Sequence, residues 1–268
     1  MNFLSLLKRN IIYKYKNKKS IDNDDISSKS LNDLFTHYGS DKADFFKKEN
    51  RESHGYSSFY TKHFSNLKNK KINILEIGSF AGASAAAFSK YFPHSKIFCF
   101  DINISKFEFE SEKIYVFGLD INNKKKVKKN LEIISNLHKV ESFDIIIDDG
   151  SHNLSDILNG INVFFKFLKD QGLYVIEDFK HPNYYKYNNN IDHIFIDELL
   201  KNLTNKKISK SNILTENSQK YLINSIEKIE IFKGNLADSD ISFISKNWFK
   251  EYFFLQKVFS IHLFQTFL

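Results

Sequence analysis

From residue 72 onward the chain alternates short apolar runs with longer stretches of helical periodicity, and no other feature constrains its fold as tightly. The runs are Ile72–Gly78, Ile97–Ile102, Ile114–Phe117, Phe143–Asp149 and Leu173–Asp178. Continuous apolar runs of this length suit strands buried on both faces, as in a parallel sheet. After the fourth run, Leu154, Ile157, Leu158, Ile161, Phe164, Phe165 and Leu168 recur at helical spacing until Gly172 interrupts them. A βαβ series of this kind folds as an α/β doubly wound sheet. Ile226–Phe232 and Asp240–Ser245 are also strand-like, but only a short turn containing Gly234 and Asn235 separates them. No crossover helix fits there, so an antiparallel hairpin is expected after five parallel strands.

Upstream, Ser30 is placed to cap a short helix over Leu31–His37, with Asp33 in its first turn and Gly39 past its end. A second short helix is expected over Tyr56–Phe64. The chain of 268 residues then divides into a basic segment and polar linker (1–30), a main domain (31–246) and an apolar end (247–268). Of the net charge of +7, six basic residues and no acidic ones lie in residues 1–20, namely Lys8, Arg9, Lys14, Lys16, Lys18 and Lys19. The main domain is close to neutral, which argues against nucleic acid as a partner. Residues 1–20 read as a basic amphipathic helix that contacts an anionic membrane surface or a partner, the competing reading being a disordered or homo-oligomer-packing tail. No stretch qualifies as a membrane span, since Lys250, Glu251, Lys257 and His262 interrupt the apolar end. The single cysteine, Cys99, sits in a strand pattern and fits a reducing, cytoplasmic setting, peripheral to the inner membrane if the basic segment attaches there. The abundance of Phe and Tyr reads as coding bias and carries no functional weight. Lys124–Lys129 reads as a solvated helix face.

Chemistry gathers at the ends of the strands. Leu75-Glu76-Ile77-Gly78-Ser79-Phe80-Ala81-Gly82-Ala83-Ser84 leaves the first strand and opens a helix. Glycines there admit a ligand to the backbone, and the helix start offers free N–H groups. The dinucleotide pattern G-x-G-x-x-G is absent. Asp101 ends the second strand 23 residues after Gly78, where an acidic residue of a nucleotide-binding α/β fold takes ribose hydroxyls. Asp120, in Gly118-Leu119-Asp120, ends the third strand on what would be the adenine side. The candidate cofactor-binding set is Glu76, Gly78, Gly82, Ser84, Asp101, Asp120 and Asp148. Asp148-Asp149-Gly150-Ser151-His152 ends the fourth strand and Glu177-Asp178 the fifth. Ligands of open α/β sheets bind beyond these carboxyl ends, so both acidic pairs open onto one crevice. Apolar strands ending in paired carboxylates are costly unless a cation or water meets them. Three carboxylates converging from these two strand ends would form an oxygen donor set suited to a hard divalent ion such as Mg²⁺. His152, three residues after Asp149, is the candidate general base.

Five parallel strands closed by an antiparallel pair resemble the Rossmann-like domain of class I methyltransferases. The motifs Gly-x-aromatic-x-Gly-x-Ser at Gly78–Ser84, Asp-Gly-Ser-His at Asp149–His152 and Val-Ile-Glu-Asp at Val175–Asp178 resemble those of the metal-dependent sugar O-methyltransferases of macrolide biosynthesis, the mycinamicin and macrocin type. They are also similar to the cephalosporin hydroxylase-like group. Tyr38-Gly39-Ser40-Asp41-Lys42 and His54-Gly55-Tyr56 with Tyr60 are similar to that family's N-terminal signature. The resemblance spans roughly residues 31–180. It implies metal ligation by Asp149, Glu177 and Asp178, a base at His152 and S-adenosylmethionine around Gly78, Ser84 and Asp101. It also implies a carbohydrate-type acceptor, on a bacterial surface polysaccharide (capsule or lipopolysaccharide) or a glycosylated natural product. The competing readings are methylation of a phosphoryl-type group attached to a sugar, a catechol-type methyltransferase, and a cofactor-binding partner subunit without activity. Gly118-Leu119-Asp120 departs from the family's Gly-Asp pair, and residues 180–225 match none of its segments.

Overall fold

The structure is a computed structural model that describes residues 3–46 and 49–247; the apolar end expected beyond Asn247 lies outside the described residues. The parallel runs form β1 (Ile72–Ile77), β2 (Ser95–Asp101), β3 (Ile114–Gly118), β4 (Phe143–Asp148) and β5 (Leu168–Ile176). The hairpin is β6 (Ile226–Lys233) and β7 (Asp240–Lys246). One sheet contains all seven, in the order β6-β7-β5-β4-β1-β2-β3. Strands β1 to β5 are mutually parallel, and β7 runs antiparallel between β5 and β6. Strand β5 starts earlier than its apolar run: Leu168 already pairs with Phe143, and a left-handed Gln171 (φ +60°) marks the irregularity before regular pairing resumes at Leu173.

Eight helices accompany the sheet among the described residues: α1 (Phe3–Tyr15), α2 (Leu31–Tyr38), α3 (Ser57–Phe64), α4 (Ala83–Tyr91), α5 (Lys124–His138), α6 (Leu154–Phe164), α7 (Ile196–Thr204) and α8 (Glu216–Ser225). The α2 caps are those the sequence indicates: Ser30 Oγ accepts from the Asp33 amide at 3.1 Å, and Gly39 takes the left-handed conformation. Every residue of α4 is buried, and its small Ala side chains let it lie close between the sheet and α2. Phe35, Tyr60, Phe64, Phe88, Phe92 and Phe243 fill the space around it, with Phe35 edge-on to Phe88 at 5.4 Å. The aromatic excess is thus spent largely on packing. The opposite face is closed by α5 to α8, of which α7 and α8 occupy the stretch that matched no family segment. In α5, Val127 is buried while Lys124, Lys125, Lys128 and Lys129 are exposed, the solvated face expected.

Helix α1 packs on the main domain across the expected boundary at residue 30. Leu6 is buried, Tyr13 meets Phe107 edge-on at 6.2 Å, and Arg9 Nη1 donates to the Ile102 carbonyl at 3.1 Å. Lys19–Ser20 then pairs with Phe109–Glu110, and Ile21 is wholly buried. No helix among the described residues is long and apolar enough to cross a membrane.

Candidate active site

The strand order reverses between β1 and β4, the position where an open α/β sheet leaves a crevice beyond its carboxyl ends. Gly78 stands at this switch with φ +87°, and a Cβ there would lie 1.9 Å from the Asp149 carbonyl oxygen. Only glycine lets the two strand ends approach so closely. A cleft of about 770 Å³ opens above, a size suited to a nucleoside-type ligand. Gly78, Ser84, Asp101 and Asp120 line it, as do Asp149 and His152. Asp101 is held in position by two backbone donors, the Phe80 amide on Oδ2 at 2.8 Å and the Asn103 amide on Oδ1. A carboxylate fixed in this way at the end of the second strand fits ribose hydroxyls, and the start of α4 faces the same cleft through Ala83 and Ser84.

Three residues expected to touch a cofactor do not line this cleft. Glu76 is fully buried beneath the loop and accepts from Ser84 Oγ at 2.5 Å, so it braces a cleft residue from behind. Asp148 is 3% exposed and turns toward Gly160 of α6, and Tyr174 of β5 donates to it at 3.4 Å. Burial, then the neighbouring Asp149, pushes its pKa up to about 7. Gly82 has φ +81°, and its missing Cβ makes room for the Phe107 ring, which would lie 2.4 Å from such an atom. The cause is common to all three: alternation along a strand and the turn of a loop send neighbouring residues to opposite sides.

The carboxylates behind the cleft do converge. Asp149, His152 and Asp178 each offer a ligand atom, all within 4.8 Å of one another. His152 Nε2 lies 3.5 Å from Asp149 Oδ1 and 3.8 Å from Asp178 Oδ2. His152 and Asp178 are both left-handed (φ +54° and +49°), conformations that cost energy in non-glycine residues and that here aim both side chains at the cluster. Glu177 points differently. Its Oε2 accepts from Lys42 Nζ at 2.8 Å, and its Oε1 accepts from the Tyr60 hydroxyl.

Lys42, Tyr56, Tyr60 and His54 were legible only as parts of the N-terminal signature, with no role attached. Lys42 is 2% exposed and also donates to Asp149, so one ammonium bridges the ends of β4 and β5. Burial alone would lower its pKa, but Asp149 and Glu177 outweigh burial and hold it well above the usual lysine value. The Tyr56 hydroxyl donates to Asp178, and His54 Nδ1 lies 3.4 Å from the same carboxylate. Burial lowers the His54 pKa, but the hydrogen bond and charge of Asp178 raise it to about 9. Burial, then Glu177, raises the Asp149 pKa well above the carboxylate range despite Lys42. An oxygen-rich donor set with an imidazole beside it fits a hard divalent ion.

No family profile matches the chain. Among curated proteins it is similar to mycinamicin VI 2''-O-methyltransferase of Micromonospora griseorubida, at 29% identity over 133 residues, which is 47% of this chain and 31% of that one. Demethylmacrocin O-methyltransferase of Streptomyces fradiae gives 29% over 132 residues, 47% of this chain and 32% of that one. L-Olivosyl-oleandolide 3-O-methyltransferase of Streptomyces antibioticus gives 28% over 136 residues, 47% and 32%. Each match therefore spans about a third of the relative's length. Among solved structures, MycE methyltransferase from the mycinamycin pathway, in complex with Mg, SAH and mycinamycin VI, matches with TM-score 0.61 and 21% identity, covering 82% of this chain and 55% of that one. A crystal form of MycE with Mg and SAH matches with TM-score 0.62. The chain is thus similar over 47% of its length to sugar O-methyltransferases, and its fold is that of the class I methyltransferases.

Proposed function

We propose that this chain is an S-adenosylmethionine-dependent O-methyltransferase, assisted by a divalent ion, that acts on a hydroxyl of a sugar unit. The observation that carries this reading is that Asp149 and His152 belong both to the cleft and to the acidic cluster. A ligand in the cleft and an acceptor at the cluster would therefore meet across shared side chains. In this reading Asp101 holds the ribose, Gly78 and Ser84 frame the methionyl side, Asp149 and Asp178 face the ion, and Glu177, held by Lys42 and Tyr60, adds negative charge behind them. A divalent ion bound there would orient the acceptor oxygen and lower the pKa of its hydroxyl. His152 Nε2 takes the proton. Its distances of 3.5 and 3.8 Å to two carboxylates mean that the imidazolium formed is stabilised where it forms. The relatives' names supply the acceptor class, sugars carried by natural products, and we extend it to a sugar of a bacterial surface polysaccharide. The experiment is calorimetric titration with S-adenosylmethionine, with and without Mg²⁺, followed by a mass-detected methylation screen against nucleotide sugars and surface glycans. Cofactor binding and a mass gain of one methyl group are expected. Absence of cofactor binding would end the proposal.

A further inference from the structure

Directly beyond Asp178 the chain folds into two short helical turns, His181–Tyr184 and Lys186–Asn190, beside His152 of the acidic cluster. The His181 amide donates to the Asp178 carbonyl at 2.8 Å, and Asn188 Nδ2 donates to the Pro182 carbonyl at 2.9 Å. The segment is therefore tied to the strand end and to itself. Its rings form a circuit: the His152 ring is 5.8 Å from that of His181, His181 is 5.0 Å from Tyr185, and Tyr185 is 5.8 Å from Tyr187. The Tyr187 hydroxyl closes it by donating to Asn153 Oδ1 at 3.0 Å, next in sequence to His152. Tyr185 is 44% exposed and Tyr187 52%. Large aromatic rings exposed together beside a charged cluster form an apolar patch of the kind that marks ligand sites.

We propose that His181, Tyr185 and Tyr187 form the acceptor subsite and receive the C–H face of a pyranose ring; this rests on the methyltransferase reading for the identity of the acceptor. Successive rings tilt by 58°, 46° and 40°, which makes a curved surface instead of a slot with parallel walls. A flat catechol ring calls for parallel walls, whereas a puckered saturated ring lays its C–H bonds against several tilted π faces, whose negative charge attracts them. Polar groups lie among the rings, as a saccharide needs: the Asn153 amide, the tyrosine hydroxyls and the imidazole of His181. The circuit also begins at His152, so a ring seated on it is delivered beside the proposed base.

The test uses the full chain with methyl α-L-rhamnopyranoside and methyl α-D-glucopyranoside as probes, read by saturation-transfer NMR titration. Wild type is compared with the double variants Tyr185→Ala/Tyr187→Ala and Tyr185→Phe/Tyr187→Phe, each also titrated with S-adenosylhomocysteine. Wild type should pass saturation to the ring C–H protons of a glycoside. The alanine pair should weaken that binding about tenfold, the order expected for lost ring stacking. The phenylalanine pair, which keeps the π faces, should stay within about threefold. Equal glycoside binding by the alanine pair, or none by wild type, overturns the subsite. If S-adenosylhomocysteine binds wild type and the glycosides do not, the subsite alone falls. If S-adenosylhomocysteine fails to bind wild type, the methyltransferase reading falls instead.

Discussion

Replacing Lys42 by Met removes one ammonium and keeps most of the stem that packs around it. The lysine is 2% exposed and bridges Asp149, 20% exposed, to Glu177, 3% exposed. Removing one partner of a buried ion pair costs about 3–5 kcal/mol, because the remaining charge is left uncompensated. In a domain of this size each kcal/mol moves the melting temperature by roughly 2–4 °C, so a fall of about 6–20 °C is expected. The dependence on pH follows from the direction of the shifts. The folded-state pKa of Lys42 is raised, so its contribution is complete below the unfolded value of 10.5 and is lost only as pH rises through the folded value. The folded-state pKa of Asp149 is raised by burial, so the folded protein keeps that proton above 3.8 and loses stability as pH climbs. Without the ammonium Asp149 rises further, and its protonation relieves the variant at acid pH. The gap between variant and wild type should therefore be larger at alkaline than at acid pH. Thermal melts with chelator present, across pH, measure this. Added Mg²⁺ should then raise the variant's melting temperature more than that of wild type, since no lysine competes for the carboxylates. A variant melting within 2 °C of wild type at alkaline pH would refute the view of Lys42 as countercharge.

Four further outcomes are expected. His152→Ala should lower kcat by about 10²–10⁴-fold while S-adenosylhomocysteine affinity stays unchanged, as read by steady-state kinetics and calorimetry; near-normal kcat would remove the imidazole from proton transfer. Asp101→Ala should weaken S-adenosylmethionine binding by about 1.5–3 kcal/mol, the range for a hydrogen bond to a charged group, and an unchanged titration would move the ribose elsewhere. Deleting residues 1–20 should weaken cofactor binding as well, because α1 packs on the segment 102–107 whose Phe107 ring fills the space beside Gly82. The same deletion tests the membrane reading: Leu7, Ile11 and Tyr15 are 45%, 50% and 76% exposed along one helix, so flotation with anionic vesicles should be lost, and equal recovery of both forms would end it.

Local signals carried far in this chain. Period and run length place all seven strands, because a strand buried on both faces must be apolar throughout and a helix must repeat its apolar residues every turn. Caps such as Ser30 and Gly39 are read from residue type, since few residues satisfy a helix end. The acidic strand ends are equally plain, because carboxylates that close apolar runs need a countercharge or hydrogen-bond partners. The order of the strands, in contrast, is set by which faces pack, and only the fold shows that β7 enters between β5 and β6. Adjacent carboxylates are also alike on paper: Asp148 and Asp149 differ by one residue, yet alternation sends one toward α6 and the other into the cleft. Lys42 reaches Asp149 and Glu177 across 107 and 135 residues, a pairing that no spacing reveals. Helix α1 reads as a basic tail because its charges dominate the composition, while Leu6, Asn10 and Tyr13, which dock it, are too few to register until the surface they meet has folded. Residue type and period determine what each segment must be; the company a side chain keeps is decided by contacts between distant segments, and those exist only in the tertiary structure.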